Sequence, residues 1–164
     1  KTFGNMFTFI VLISFIAYSY AHMCMLSPTQ RPPIAADVNK PADGNCGLTT
    51  GPCGGRTPNE PGIQIRPAVP FTVVWQKNLD HWTASSPGYF SIDLAAVKNP
   101  KETDFKTLKQ VPDTSAPSGT LYLQNVTTPI HHGMDKHGVL RVRYVTKNPN
   151  APAIFYQCAD VAIF

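Results

Sequence analysis

The sequence has few charged residues and no concentration of either sign. Lys, Arg, Asp and Glu make up 15% of the 164 residues, and the formal net charge is +4. Charges of both signs are scattered, so there is no basic stripe of the kind that binds nucleic acid. No apolar run after residue 21 is long enough to span a membrane. We therefore expect neither a nucleic-acid partner nor membrane attachment of the mature chain.

Long stretches with helical spacing are also scarce. Sixteen prolines and eleven glycines interrupt the chain, which argues against a helical bundle. Short blocks that mix β-branched and aromatic residues lie between turn residues and predict strands. These blocks are Phe71 to Trp75, Tyr89 to Leu94, Leu121 to Val126, Val139 to Thr146 and Ile154 to Ile163, with a first strand at His22. The pattern predicts an all-β, immunoglobulin-like antiparallel β-sandwich.

Three further expectations concern the organisation of this sandwich. Ser27 to Pro70 is rich in Pro, Gly, Asn and Asp and predicts a long N-terminal loop region. Alternation within Val139 to Val145 predicts one buried and one solvated strand face. Ala95 to Gln110 has room for a helical turn or two.

All four cysteines follow residue 21: Cys24, Cys46, Cys53 and Cys158. An even number in an oxidising compartment predicts two disulfides, and three connectivities are possible. Cysteine ligation of zinc is the rival interpretation, but the spacing matches no zinc finger. We expect a disulfide-stabilised fold in which the cysteines attach the long loop region to the rest of the domain.

Residues 1–21 have the pattern of a signal peptide. Lys1 precedes an apolar run from Met6 to Tyr20, and the small residues Ser19 and Ala21 stand before the expected cut. The mature domain would then comprise residues 22–164 and be extracellular. Asn125, in Asn-Val-Thr, is a candidate glycosylation site of a secreted protein.

Cleavage after Ala21 would place His22 at the N-terminus. A free α-amine and an imidazole on one residue form a bidentate ligand for copper, which accepts planar sets of nitrogen donors. Four other histidines could supply a further ligand, and His81, at a junction between two predicted strands, is the best placed. The alternative is that His81 is an ordinary surface or hydrogen-bonded histidine.

Several segments, read in order, resemble the lytic polysaccharide monooxygenase (LPMO) superfamily and its non-catalytic copper-binding relatives. These segments are His22 to Arg31, His81-Trp82 ahead of Tyr89 to Ile92, and Ala153 to Val161. Gly51-Pro52-Cys53-Gly54-Gly55 also resembles a motif of fungal LPMO-like copper-acquisition proteins. The resemblance implies a histidine brace, in which the His22 amine, the His22 imidazole and the His81 imidazole bind one copper ion.

The same resemblance suggests residues for the remaining copper positions. In polysaccharide-oxidising members the last strand places an aromatic residue beside the metal, which Phe155 matches, with Tyr156 next to it. The alternative is that both aromatic side chains are ordinary core residues of the sandwich. In the copper-binding relatives a carboxylate completes the site, and Asp135 is our candidate. Asp160 is less suitable, since it should point to the strand face opposite Phe155.

Other polar and aromatic groups leave alternatives open. His131, His132 and His137 would form a solvated loop, a second and weaker metal site, or part of the first metal site. Trp82 and Tyr89 would form a sugar-facing patch if exposed, or packing around the histidine if not.

We therefore predict a secreted, monomeric protein that binds one copper ion and serves copper capture or transport. The alternative is a copper-dependent LPMO that oxidises chitin, cellulose or pectin, with a polysaccharide as partner. A third hypothesis is a metal-free secreted interaction module with the same fold.

Overall fold

A computed structural model describes residues 22–32, 37–129 and 137–164. These residues form eight strands: β1 His22–Ser27, β2 Ile63–Ile65, β3 Phe71–Leu79, β4 Tyr89–Ala95, β5 Lys106–Pro112, β6 Thr120–Val126, β7 His137–Val145 and β8 Ile154–Ile163. The one helical element within them is a 3-10 turn at Glu102–Asp104. No helix among these residues is long and apolar enough to cross a membrane. The signal-peptide prediction concerns residues outside the described part of the chain.

The strands form two sheets that face each other as a sandwich. One has the order β1-β3-β6 and the other the order β2-β8-β7-β4-β5. The pairing is antiparallel except for β2, which runs parallel to β8. The predicted all-β sandwich is confirmed.

Alternating side chains build the core between the sheets. Met23, Met25, Val73 and Trp75 from the smaller sheet are buried in one cluster with residues of the larger sheet such as Phe90. Because side chains alternate across a strand, the apolar positions of β1 and β3 fall on the same inward face. Burial of these side chains is the main source of stability.

The outer face of β7 differs from the prediction. Val139 and Arg141 are buried rather than solvated. The Arg141 guanidinium lies 3.7 Å from the ring centroid of Phe105 and forms ion pairs with Asp93 and Glu102 at 3.0 and 2.8 Å. Periodicity within one strand could not predict this cover, because Phe105 and Glu102 come from the segment before β5.

The long loop region is fastened to the sandwich by both disulfides. Cys24 in β1 is bonded to Cys46, and Cys53 is bonded to Cys158 in β8. No free cysteine remains among the described residues, so cysteine ligation of zinc does not occur there. The disulfides attach two points of the loop region to the two strands that begin and end the domain.

Candidate metal centre

His22 and His81 lie at the same end of the smaller sheet. His22 opens β1, and its Cα partner across the antiparallel pair is Leu79, the last residue of β3. His81 follows Leu79 by two residues, and both histidines are buried. The register of β1 on β3 therefore brings together two residues that are far apart in the sequence.

Gly47 makes room for the His22 ring. A Cβ atom added at Gly47 would lie 2.5 Å from Nε2 and 2.7 Å from Cδ2 of His22, closer than side-chain atoms can approach. The Cys46 carbonyl beside it accepts a hydrogen bond of 2.9 Å from the Met23 N–H. Gly47 could not be predicted as part of the site from the sequence, because nothing in its local pattern distinguishes it from other loop glycines.

The backbone of His81 is held at both of its polar groups. Its N–H donates to the Tyr144 hydroxyl at 3.3 Å, and its carbonyl accepts from the Asn148 side-chain amide at 3.0 Å. The next N–H, that of Trp82, donates to the Asp80 carboxylate at 2.9 Å. The segment after β3 is thus attached to the larger sheet, although it belongs to the smaller one.

Three buried ionisable groups support this segment: Lys77, Asp113 and Tyr144. Burial alone would lower the pKa of Lys77, but hydrogen bonds to Asp113 and Asp80 outweigh it and raise that pKa. Burial and the hydrogen bond to Asp113 raise the pKa of Tyr144 far above its ordinary range. Lys77 therefore stays charged and the Tyr144 hydroxyl keeps its proton near neutral pH.

A signal for this cluster was present in the sequence. Lys77 continues the alternation of Val73 and Trp75, which places a lysine on the inward face of β3. A lysine at a core position is almost always paired.

Phe155 in β8 packs against the second histidine. Its ring is nearly parallel to the His81 imidazole, with 6.3 Å between centroids and 7° between planes. Phe155 is also a core residue, buried beside Tyr144. Phe155 can therefore be a core residue and also lie beside the candidate ligand His81.

Tyr156 lies on the other face of the strand. Its ring is in van der Waals reach of a Cβ placed at Gly51, and it lies 5.9 Å from the Arg141 guanidinium. Alternation along β8 separates it from Phe155 and His81.

The carboxylate candidates have different outcomes. Asp135, like His131 and His132, falls outside the described residues. Asp160 accepts two hydrogen bonds from one edge of the Arg31 guanidinium, from Nε at 2.8 Å and from Nη2 at 2.7 Å, and His137 Nε2 lies 3.1 Å from it. Burial alone would raise the pKa of Asp160, but the Arg31, Asn59 and His137 hydrogen bonds lower it.

The described residues contain no group of three or more His, Cys, Asp or Glu side chains that could hold a metal ion. A histidine brace uses only two histidine side chains together with an α-amine, so it has fewer side chains than such a group.

Trp82 and Tyr89, the candidate sugar-facing residues, are both half-buried. The Lys147 ammonium lies 5.5 Å from the Tyr89 ring centroid.

Comparison with solved structures identifies the fold class. The chain is similar to an AA10 LPMO from Streptomyces lividans, with a TM-score of 0.59, 16% identity and coverage of 86% of this chain and 99% of that chain. It is also similar to the catalytic domain of LPMO Lmo2467 from Listeria monocytogenes, with a TM-score of 0.53, 15% identity and coverage of 87% and 99%. At these identities the matches establish an LPMO-like fold and no more.

The family follows from the sequence of the whole domain. Residues 20–164 match the model of the family described as "Copper acquisition factor BIM1-like". The chain belongs to this BIM1-like copper acquisition factor family, and its function is therefore related to copper. No curated protein matches the chain.

Proposed function

We propose that the protein is secreted, is cut between Ala21 and His22, and then captures or transports one copper ion through His22 and His81. The observation that carries the proposal is the register of β1 on β3, which pairs His22 with Leu79 and so places it beside the segment that bears His81. The two disulfides support an oxidising, extracellular location.

The donors near this point fit copper. Cleavage supplies an α-amine whose ordinary pKa is near 7.8, and imidazole titrates near 6.5, so about neutral pH both can become metal ligands. The Nε2 edge of the His22 ring lies toward Gly47, so its Nδ1, together with the α-amine, is the pair suited to chelation. His81 contributes an imidazole nitrogen, and copper(II) binds such nitrogen sets more tightly than the neighbouring divalent metals.

The test of the brace compares three proteins by calorimetry with Cu(II). The first begins at His22, the second carries one extra residue before His22, and the third begins at His22 and carries His81→Ala. We expect a large loss of affinity in the second and the third. The matched control is His137→Ala, which removes an imidazole paired with Asp160 and should retain tight binding. Equal affinity of the first two proteins would refute the brace.

A second candidate function, oxidative cleavage of polysaccharides, has one specific observation in its favour. The Phe155 ring lies parallel to the His81 imidazole. This position supports the proposal that Phe155 is the aromatic residue beside the metal, which the resemblance to polysaccharide-oxidising members implies. Copper-loaded protein should be incubated with a reductant, peroxide and chitin, cellulose or pectin. If oxidised oligosaccharides form, the function is oxidative cleavage of polysaccharides and not copper capture. Membership of a copper family favours either function over a metal-free module.

Asn125 is proposed to carry an N-linked glycan. It lies on an exposed position of β6, and its side-chain carbonyl accepts a hydrogen bond of 2.7 Å from Thr72. That bond turns the amide nitrogen, the atom to which a glycan is attached, away from Thr72. Protein secreted from eukaryotic cells should lose mass on endoglycosidase treatment, and Asn125→Gln should remove that change.

A further inference from the structure

The buried cluster of Lys77, Asp113 and Tyr144 connects the two sheets beside His81. Lys77 comes from β3 in the smaller sheet, Tyr144 from β7 in the larger sheet, and Asp113 follows β5. The side chains of Lys77 and Asp113 are fully buried, as is Tyr144. Charged groups are costly to bury, so their presence here needs an explanation beyond packing.

Hydrogen bonds within the cluster have a defined direction. The Tyr144 hydroxyl donates to one Asp113 oxygen at 2.5 Å, and the Lys77 ammonium donates to the other at 2.9 Å. An ionised carboxylate only accepts, so Asp113 forces the Tyr144 hydrogen toward itself. A lone pair of the same hydroxyl then faces the His81 N–H, which donates to it at 3.3 Å.

The ammonium group reaches the same segment from the other side. Lys77 Nζ donates to the Asp80 carboxylate and to the Thr114 carbonyl, both at 2.8 Å. The Asp80 oxygen that accepts from Lys77 also accepts from the Trp82 N–H. The backbone N–H groups of His81 and Trp82 therefore both bond to acceptors that this cluster orients.

Stability alone does not account for this arrangement. A buried ion pair is often no more stabilising than apolar residues of the same volume, because desolvation offsets the attraction. A hydrogen bond of fixed direction does confer geometry, and groups that orient a ligand histidine are known to affect metal affinity.

We infer that Lys77, Asp113 and Tyr144 are positioning residues that hold the His81 backbone, and so its imidazole, in the orientation that binds copper. The inference rests on the proposed function, since it assumes that His81 is a copper ligand. It assigns these residues no contact with the metal.

The main test replaces the Tyr144 hydroxyl by hydrogen in Tyr144→Phe. The ring keeps its place against Phe90, 4.6 Å away between centroids. Tyr122→Phe is the matched control, because the Tyr122 ring also packs on Phe90 and its buried hydroxyl has no hydrogen-bond partner. Both variants lose one buried oxygen, and Tyr144→Phe alone loses a bond to the His81 segment.

We expect Tyr144→Phe to weaken Cu(II) binding about ten-fold and to change the copper hyperfine splitting in electron paramagnetic resonance spectra. In the metal-free protein, amide hydrogen exchange at His81 should become faster. Tyr122→Phe should leave all three measurements as in the wild type. Loss of stability alone would not change the spectrum of the folded, copper-bound protein.

Wild-type affinity, spectrum and His81 exchange in Tyr144→Phe would overturn the inference. If His81→Ala still loses copper binding in that case, the proposed function stands without the positioning role. If His81→Ala binds copper normally, the proposed function itself fails. Should Tyr144→Phe not fold, Asp113→Asn carries the test. It keeps the side-chain volume but no longer dictates the hydroxyl direction, so unchanged copper spectra in Asp113→Asn would equally overturn the inference.

Discussion

Two buried ion pairs in this protein hold different parts of the chain. Lys77–Asp113 and Arg31–Asp160 are both almost inaccessible to solvent, at N–O distances of 2.9 and 2.7 Å. Lys77–Asp113 acts on the segment that carries His81. Arg31–Asp160 acts on the long loop region, because Asp160 also accepts from the Asn59 N–H and Arg31 donates to the Arg56 carbonyl.

The two pairs also involve histidine differently. In the Arg31–Asp160 region the ring of His137 is engaged, with Nε2 3.1 Å from the carboxylate. In the Lys77–Asp113 region the hydrogen bonds described above go to the backbone of His81. The Arg31–Asp160 pair therefore contacts the ring of a histidine outside the proposed brace, whereas the Lys77–Asp113 cluster bonds to the backbone of a proposed copper ligand. The Lys77–Asp113 pair should therefore govern metal binding, and the Arg31–Asp160 pair should govern stability.

The largest predicted effect on stability is that of Arg31→Met. This change leaves the buried Asp160 carboxylate without its guanidinium, and we expect the free energy of unfolding to fall by about 3–5 kcal/mol. Urea unfolding at pH 7 measures the loss. The copper spectrum of the folded variant should match the wild type, and a change as large as that in Tyr144→Phe would show that the two pairs do not differ as argued.

Gly47→Ala should act on copper binding through His22. The new methyl group would lie 2.5 Å from Nε2, so the imidazole must move, and we expect affinity for Cu(II) to fall about ten-fold. Gly44→Ala is the control, since a Cβ at that loop position meets no atom within 4 Å. Calorimetry with Cu(II) on both variants, each beginning at His22, compares their affinities. Equal affinities of Gly47→Ala and Gly44→Ala would show that Gly47 does not affect the copper site.

Acid should weaken the Arg31–Asp160 region. The pKa of Asp160 is lowered in the folded protein, so the unfolded chain binds more protons than the folded one between the two pKa values. The stabilisation is complete above the ordinary value of 3.8 and is lost as the pH falls through the folded value. Urea unfolding from pH 6 to about pH 3 should give a shallower loss in Asp160→Asn than in the wild type. Identical pH slopes would contradict this assignment.

The smallest effect is expected for an exposed pair. Lys98 and Glu60 lie 3.4 Å apart with side chains that are 47% and 85% exposed. Solvent screens such pairs, so Lys98→Ala should leave urea unfolding at pH 7 unchanged within error. A loss comparable to that of Arg31→Met would mean that burial does not explain the contrast between ion pairs.

Strands with a run of apolar residues could be predicted from the sequence, and the very short strand β2 and the largely exposed strand β5 could not. All five apolar blocks and the strand at His22 are present as strands. Three of the blocks are longer than predicted, β8 has the predicted bounds, and β7 begins earlier but ends one residue before the predicted end. β2 and β5, which form the two edges of the larger sheet, were not predicted. No residue of β5 is buried, so it has no alternating apolar pattern to detect.

Candidate ligands for the site could be proposed from the sequence, and the residues that surround them could not. His22 and His81 could be proposed because nitrogen donors at a cut terminus and at a strand junction have an evident chemistry. Gly47 and Asp113 could not, since their importance lies in contacts with residues remote in the sequence. The pairing of the cysteines also stayed open, because spacing alone allows three connectivities.

The sequence by itself determined the fold class, the number of disulfides and the identity of the two candidate histidines, because these follow from periodicity, residue counts and residue chemistry. Tertiary structure decided which cysteines pair, which face of β7 is covered and how His81 is held. Each of these depends on strand register and on contacts between distant segments. The buried charges of Lys77 and Asp113 show the difference most clearly: the alternation of β3 places Lys77 inward, but only the packed sandwich brings Asp113 and Tyr144 to meet it.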